Sequence, residues 1–369
     1  MGTGSPMTTT ARRRALWIST SLETRGGIAS YVRAMQQTPL WVDWEIRHVA
    51  THRDGSVARK IAAFGSGTVL FVVELIRFRP SVIHLHSSAG GSFVRKAVLL
   101  WISRPARVPV VLHMHGSAFQ EEYERRPRMV QTMIRATLCR AAAFVTLGQV
   151  WASRMRDIVP SARIVAIPNA VRPARRGAQP SSGHALHVVF LGRVGEHKGT
   201  FRLLDAWAKL VCDPGFSTQR GHLATLTIAG DGEVERARSH VRDLGVSDTV
   251  DVHDWLSETA VGELLDRAQI LVLPSQNEGQ PMAVLEAMAR GLCVIASDVG
   301  GLSEMIGGEC GMLIPPNDTE AIAAALRAAV YDRALRVRYG AAARARIRDR
   351  FDIDVVAHRL DALYREVCR

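Results

Sequence analysis

Short apolar runs alternate along this chain with stretches of helical period. In the first half, "ALWIST" (15–20), "SVIHLH" (81–86), "PVVLHMHG" (109–116) and "AAFVTLG" (142–148) read as buried strands. Amphipathic stretches at 27–37, 57–78, 92–103 and 128–140 lie between them. Strand–helix alternation predicts a parallel sheet covered on both faces. The segment "RPARRGAQPSSGHA" (172–185) has no periodicity and is rich in Pro, Gly, Ser and Arg, a linker composition. A second alternating series follows. Its strands are predicted at 186–193, 225–232, 249–255, 268–275 and 292–298, and its helices at 199–211, 233–244, 258–267, 281–290 and 318–331. The last stretch, 352–368, is helical by period.

Size agrees with this doubling, because 369 residues exceed what one core usually fills. The predicted organisation is α/β: two doubly wound, Rossmann-like domains at 12–175 and 183–350, followed by a segment at 351–369. In open parallel sheets ligands bind beyond the carboxyl ends of the strands. Two such domains facing each other place the site in the cleft between them.

Composition narrows the classes further. With 47% hydrophobic and 22% charged residues the chain is globular. Cys139, Cys212, Cys293, Cys310 and Cys368 show no CxxC or Cys/His spacing, so neither a disulfide frame nor a zinc site is expected. No signal peptide and no membrane span is read, and the expected location is the cytoplasm. The opening "MGTGSP" is set aside from fold reasoning. Charge is uneven. Residues 1–180 carry 26 Lys and Arg against 9 Asp and Glu, whereas 181–369 carry 21 against 26. The basic half is expected to meet something anionic.

Several strand ends carry chemistry. "FLGRVGEHKGT" supplies Arg193 and Lys198 beside Gly192 and Gly199, which suits a diphosphate: cations neutralise oxygens and glycines admit the backbone. "IAGDGE" (228–233) makes a tight turn at Gly230, also read as a plain turn. "LPSQNEGQPMAVLEAMARG" puts Glu278 in a loop and Glu286 in the second turn of a helix opened by Pro281. That helix start favours phosphate. Carboxylates beside it need another partner, and sugar hydroxyls provide one. "SDVGGLSEMI" (297–306) is a further glycine junction. In the first half, Gly26 and Gly27 separate a strand from its helix, without the GxGxxG of a dinucleotide site. His113 and His115 end a strand on one face, where His115 faces the crevice. His84 and His86 repeat the pattern and are read as structural. No second ligand cluster is read, so no metal is expected.

Taken together, these stretches resemble the family-4 retaining glycosyltransferases of the GT-B fold, over nearly the whole chain. The sharpest element is the Glu278–Glu286 spacing. "GR…KG" at 192–199, "PNAV" at 168–171 and "HG" at 115–116 occur in the family's order. The resemblance implies that Arg193 and Lys198 hold the donor diphosphate, Glu286 the ribose hydroxyls and Glu278 the transferred sugar. Gly279, Gln280 and Met282 would supply backbone near phosphates and sugar. His115 would lie near the reacting sugar, Gly27 near the β-phosphate, and the tail helix would return to the first domain. Chemistry would retain the anomeric configuration, without a metal or other cofactor. The wording "EGQPMAVLEAM" looks most like members that build exopolysaccharide or capsule chains. The chain departs from the usual "EGFGLP" and carries Asp254 where a glycine is common; both bear on the nucleotide base.

The expected activity is transfer of a hexosyl unit from a nucleotide sugar, UDP-linked by preference, to a saccharide or lipid-linked acceptor. A GDP-mannose-dependent mannosyltransferase is the alternative donor reading. The basic stretches 92–104 and 124–140 suggest contact with an anionic membrane, on the inner face of the plasma membrane. Two other classes compete: a non-hydrolysing sugar-nucleotide epimerase, and a non-catalytic basic protein binding nucleic acid or other anions, suggested by a pI of about 10.2. The Glu–Glu spacing argues against the first. The lack of a nucleic-acid module argues against the second.

Overall fold

The computed structural model describes residues 13–174, 185–218 and 221–369. The apolar runs become two six-stranded sheets. The first contains β1 (Ala15–Ser19), β2 (Arg47–Ala50), β3 (Val82–Ser87), β4 (Val110–Met114), β5 (Ala143–Thr146) and β6 (Ile164–Ala166). Its order is β2-β1-β3-β4-β5-β6, and every pair is parallel. The connecting helices are α1 (Gly27–Met35), α2 (Pro39–Asp43), α3 (Val57–Arg77), α4 (Gly91–Ser103), α5 (Phe119–Glu124), α6 (Arg128–Leu138) and α7 (Gln149–Ile158).

The second sheet contains β7 (Leu186–Leu191), β10 (Ala224–Ala229), β11 (Val250–His253), β12 (Ile270–Leu273), β13 (Cys293–Ser297) and β14 (Met312–Ile314). A small ribbon, β8 (Ser217–Thr218) with β9 (Gly221–His222), precedes β10. The order β11-β10-β7-β12-β13-β14 is again wholly parallel. Helices α8 (Thr200–Val211), α9 (Val234–Asp243), α10 (Glu258–Arg267), α11 (Met282–Arg290), α12 (Leu302–Ile306), α13 (Thr319–Tyr331) and α14 (Arg333–Arg346) surround it. In each sheet the strand order reverses beside the first strand, which opens a crevice at the strands' carboxyl ends.

β2, β6 and β14 were not predicted from the sequence. Each is an edge strand of three or four residues with few buried positions; the apolar runs of β6 and β14 are too short to stand out, and β2 has none. The predicted linker lies mostly outside the described residues, as do the proposed domain limits 12, 175 and 183.

The last helix, α15 (Ile353–Val367), packs on the first domain. Ile353, Val356, Leu360 and Tyr364 share a core with Trp17, Tyr31 and Trp44. Each such side chain is worth roughly 1.5–3 kcal/mol on burial. Trp44 Nε1 donates to Asp361 at 2.9 Å. Where the chain crosses between domains, two segments run side by side. Val171 N–H donates to Phe351 at 2.9 Å, and Ile353 N–H donates to Val171 at 3.1 Å.

Candidate active site

The two crevices face each other across a cleft of about 720 Å³. Each sequence-predicted site residue lines it: Gly26, Gly27, His115, Gly192, Arg193, Lys198, Gly230, Glu278, Gly279, Gln280, Met282 and Glu286.

Glu278 follows β12 in the loop that leads to α11. Its carboxylate is buried, and Oε1 accepts from Lys198 Nζ at 2.5 Å and from Ser275 Oγ at 2.7 Å. Lys198 stands in the turn between β7 and α8, so the pair ties two strand ends together. Ser275 carried no motif in the sequence; only its place three residues before Glu278 hints at it. Arg193, at the end of β7, has no ion-pair partner among the described residues and is exposed to the cleft. The loop is held in place by Gly300 and Gly301. A Cβ on Gly300 would lie 1.9 Å from the Glu278 carbonyl oxygen, and one on Gly301 2.0 Å from that of Gly279. Gly301 N–H donates to Glu278 O at 3.2 Å. The glycine junction at 297–306 therefore supports the loop from behind. Gly230 likewise has a packing reason: a Cβ there would meet the Gly192 carbonyl at 1.7 Å.

Glu286 projects from the second turn of α11. Its carboxylate has no hydrogen-bond partner among the described residues, although Glu258, Arg290 and Arg33 stand nearby. Burial pushes its pKa up to about 7, with Arg290 opposing and Glu258 adding to the rise.

The histidines form a chain. Asn169 of the "PNAV" stretch donates through Nδ2 to Gln280 O at 2.9 Å, and its N–H donates to Gln280 Oε1 at 2.9 Å. A carbonyl only accepts, which turns Asn169 Oδ1 toward His115 Nδ1, 3.2 Å away. That nitrogen therefore carries the proton. Burial lowers the His115 pKa to about 4, so the ring is neutral and Nε2 accepts from His86 Nδ1 at 3.0 Å. His86 Nε2 is then an unprotonated, buried nitrogen with no partner. Both ring nitrogens of His115 are thus committed within the protein. It lines the cleft all the same.

One expectation is corrected. β3 and β4 pair with His86 opposite His113, so the histidines of both strands gather on one face. His84, His86 and His113 bring ligand-type nitrogens within 4.8 Å of one another, and all three are buried. A second cluster therefore exists, contrary to the sequence reading, because register is invisible in a pair of separate motifs. His84 Nε2 lies 3.2 Å from His113 Nδ1, and His84 Nδ1 bonds Tyr364. Burial holds the three rings neutral, and none of them lines the cleft.

Comparison with known proteins agrees with this architecture. A glycosyl transferase 4-like domain model matches residues 11–170, and a glycosyl transferases group 1 model matches residues 172–346. An exopolysaccharide phosphotransferase of Streptomyces coelicolor is 34% identical over 56% of this chain and 21% of its own length. A glycogen synthase of Mycobacterium tuberculosis is 34% identical over 53% of this chain and 47% of its own. The chain thus spans half or less of the first curated relatives it matches. An alpha-D-kanosaminyltransferase of Streptomyces kanamyceticus is 26% identical over 83% of this chain and 84% of its own. Among solved structures, a sucrose-phosphate synthase of Thermosynechococcus elongatus superposes with a TM-score of 0.78 at 18% identity, covering 96% of this chain and 99% of its own. An Anabaena protein in complex with UDP-glucose gives 0.71 at 18% identity, with the same coverage.

Proposed function

Because this chain belongs to the family-4-type glycosyltransferases of the GT-B fold, we propose that its cleft transfers a hexosyl unit from a nucleotide sugar to a saccharide or lipid-linked acceptor. The carrying observation is the convergence of two cations and two carboxylates around one helix start. Arg193 and Lys198 face a diphosphate, Glu286 the ribose hydroxyls, and Glu278 the sugar. Carboxylates accept hydroxyl protons strongly. The bond from the anomeric carbon to the diphosphate breaks, and the acceptor oxygen bonds the same face of that carbon. The acceptor proton passes to the departing phosphate oxygen, so configuration is retained. The cations stabilise the charge that develops there, which is commonly the largest catalytic contribution. They occupy the role a metal would fill. Glu278 is not cast as a nucleophile, since Lys198 and Ser275 already engage one of its oxygens.

UDP is the preferred nucleotide, a reading supported by the structural neighbour in complex with UDP-glucose. A thermal-shift panel of UDP, GDP, ADP and dTDP with their sugars tests this. A ligand at 100 times its Kd stabilises by about 2.7 kcal/mol. UDP compounds are expected to raise Tm alone. A rise with GDP-mannose alone would replace the donor reading, and no rise with any would remove the activity reading.

Membrane contact belongs to the same proposal. α3, α4 and α6 cover one face of the first sheet, and their outer surface exposes Val57, Ile61, Val69, Ile76, Val94, Met129 and Met133. Arginines interleave these, as in interfacial helices. No helix among the described residues is long and apolar enough to cross a membrane. The chain is expected to float with anionic liposomes at low salt. Replacing Ile61 and Val69 with aspartate should abolish flotation without changing the UDP shift. Absence of wild-type flotation would remove the membrane reading.

A further inference from the structure

The wall of the cleft formed by the first domain holds positive groups that the donor chemistry does not use. Lys96, expected on the basic face of α4, instead turns inward with Phe93 and Leu99 and is only 1% exposed. Its Nζ donates to Thr51 Oγ1 at 2.7 Å and has no carboxylate partner among the described residues. Arg95, beside it, makes no ion pair there, and its Nε is buried without a hydrogen bond. His52 Nδ1 is likewise buried and unpartnered. The acid on this wall, Asp54, lies 3.9 Å from His52 Nε2 and accepts from Arg25 N–H at 3.1 Å. Arg95, Lys96 and His52 all line the cleft, with Ser88, Ser92 and Thr20 between them.

A buried cation without a counter-ion is costly. Burial, with Arg95 adding, lowers the Lys96 pKa to about 7. Burial also lowers that of Arg95. The start of α4 already has an acid beside it, since the Glu122 carboxylate stands next to its N-cap Gly90. The two cations and the histidine match a dianion; a single carboxylate would leave one cation uncompensated.

We propose that Lys96, Arg95 and His52 form a second anion subsite, on the acceptor side of the cleft, that binds the phosphate or diphosphate of a phosphorylated acceptor. It rests on reading the cleft as a glycosyl-transfer site, with Arg193 and Lys198 as the separate donor pair. The phosphate can belong to a soluble sugar phosphate or to a lipid carrier; the chemistry recognised is the same.

The test is calorimetric titration of the full chain with inorganic pyrophosphate, with UDP saturating the donor side. Lys96→Met and Arg95→Gln are each expected to weaken pyrophosphate at least tenfold and leave UDP affinity unchanged. Without any anion, Lys96→Met is expected to raise Tm, because it removes an unpaired buried charge. Equal pyrophosphate binding in wild type and both variants overturns the subsite, as does a Lys96→Met chain with lowered Tm and unaltered pyrophosphate binding. Pyrophosphate binding that depends on Lys96, in a chain that fails to bind any nucleotide, keeps the subsite and removes the donor reading instead. A hexose 1-phosphate in solution and an isoprenyl diphosphate in phosphatidylcholine vesicles separate the two sources. Tighter binding of either one, lost in Lys96→Met, supports the subsite; binding of neither overturns it.

Discussion

Lys198→Ala is expected to lower kcat by roughly 10²–10³ while UDP affinity falls by no more than about tenfold. The reasoning turns on when charge develops. In the resting cleft Lys198 already has a carboxylate partner, Glu278 at 2.5 Å. An ammonium has three donors, so it can keep that contact and still reach a phosphate oxygen. If it holds the leaving diphosphate, that contact strengthens as the sugar departs, which weights its loss toward kcat. Removing Lys198 also leaves Glu278 buried with only Ser275 as partner, a destabilising state. The double variant Lys198→Ala, Glu278→Gln should therefore regain stability without regaining turnover. Steady-state kinetics on chains that still show the UDP shift decides the matter. A kcat within tenfold of wild type would remove Lys198 from the leaving-group role.

Glu286→Gln should weaken UDP-glucose by about 10- to 100-fold, the value of one or two charge-assisted hydrogen bonds. Its pH behaviour is the sharper mark. The wild-type carboxyl has a pKa raised to about 7, so it is largely protonated at pH 6 and ionised at pH 8. If the ionised form grips the ribose, affinity falls about tenfold from pH 8 to pH 6. The glutamine variant should be flat over that range. UDP-glucose is the right probe, because a terminal phosphate itself titrates near pH 6. Fold stability moves the other way. A carboxyl whose pKa rises on folding stabilises fully below its unfolded value, 4.5, and loses that contribution as pH rises through about 7. At pH 8 the variant should thus be more stable than wild type, by roughly 3 kcal/mol, and at pH 4.5 no more stable. Equal Tm at pH 8, together with a pH-independent wild-type affinity, would show that the carboxylate is neither strained nor used.

Much of this was legible in the sequence for a definite reason. Central strands of a parallel sheet are buried on both faces, so runs such as "ILVL" at Ile270–Leu273 stand out. Glu278 and Glu286 were legible because a loop and the helix leaving it are local. Contacts that close over distance were not. Lys198 and Glu278 are 80 residues apart, and Asn169 meets Gln280 across 111. Asn169, 54 residues from His115, fixes the proton on that ring, and His86, read as structural, donates to its other nitrogen. Lys96 was misjudged because a period shows which residues share a stripe but not which stripe faces inward. Phe93 and Leu99, both buried, settle that for α4.

The two strands of chain that join the domains, hydrogen-bonded to each other at Val171 and Phe351–Ile353, act like paired pins set on one axle. A single connection would let one half twist, slide or tumble against the other. Two pins laced together resist such twisting and sliding, and the bonds from Asn169 to Gln280 and from Gln149 to Glu304 tie the two halves at further points.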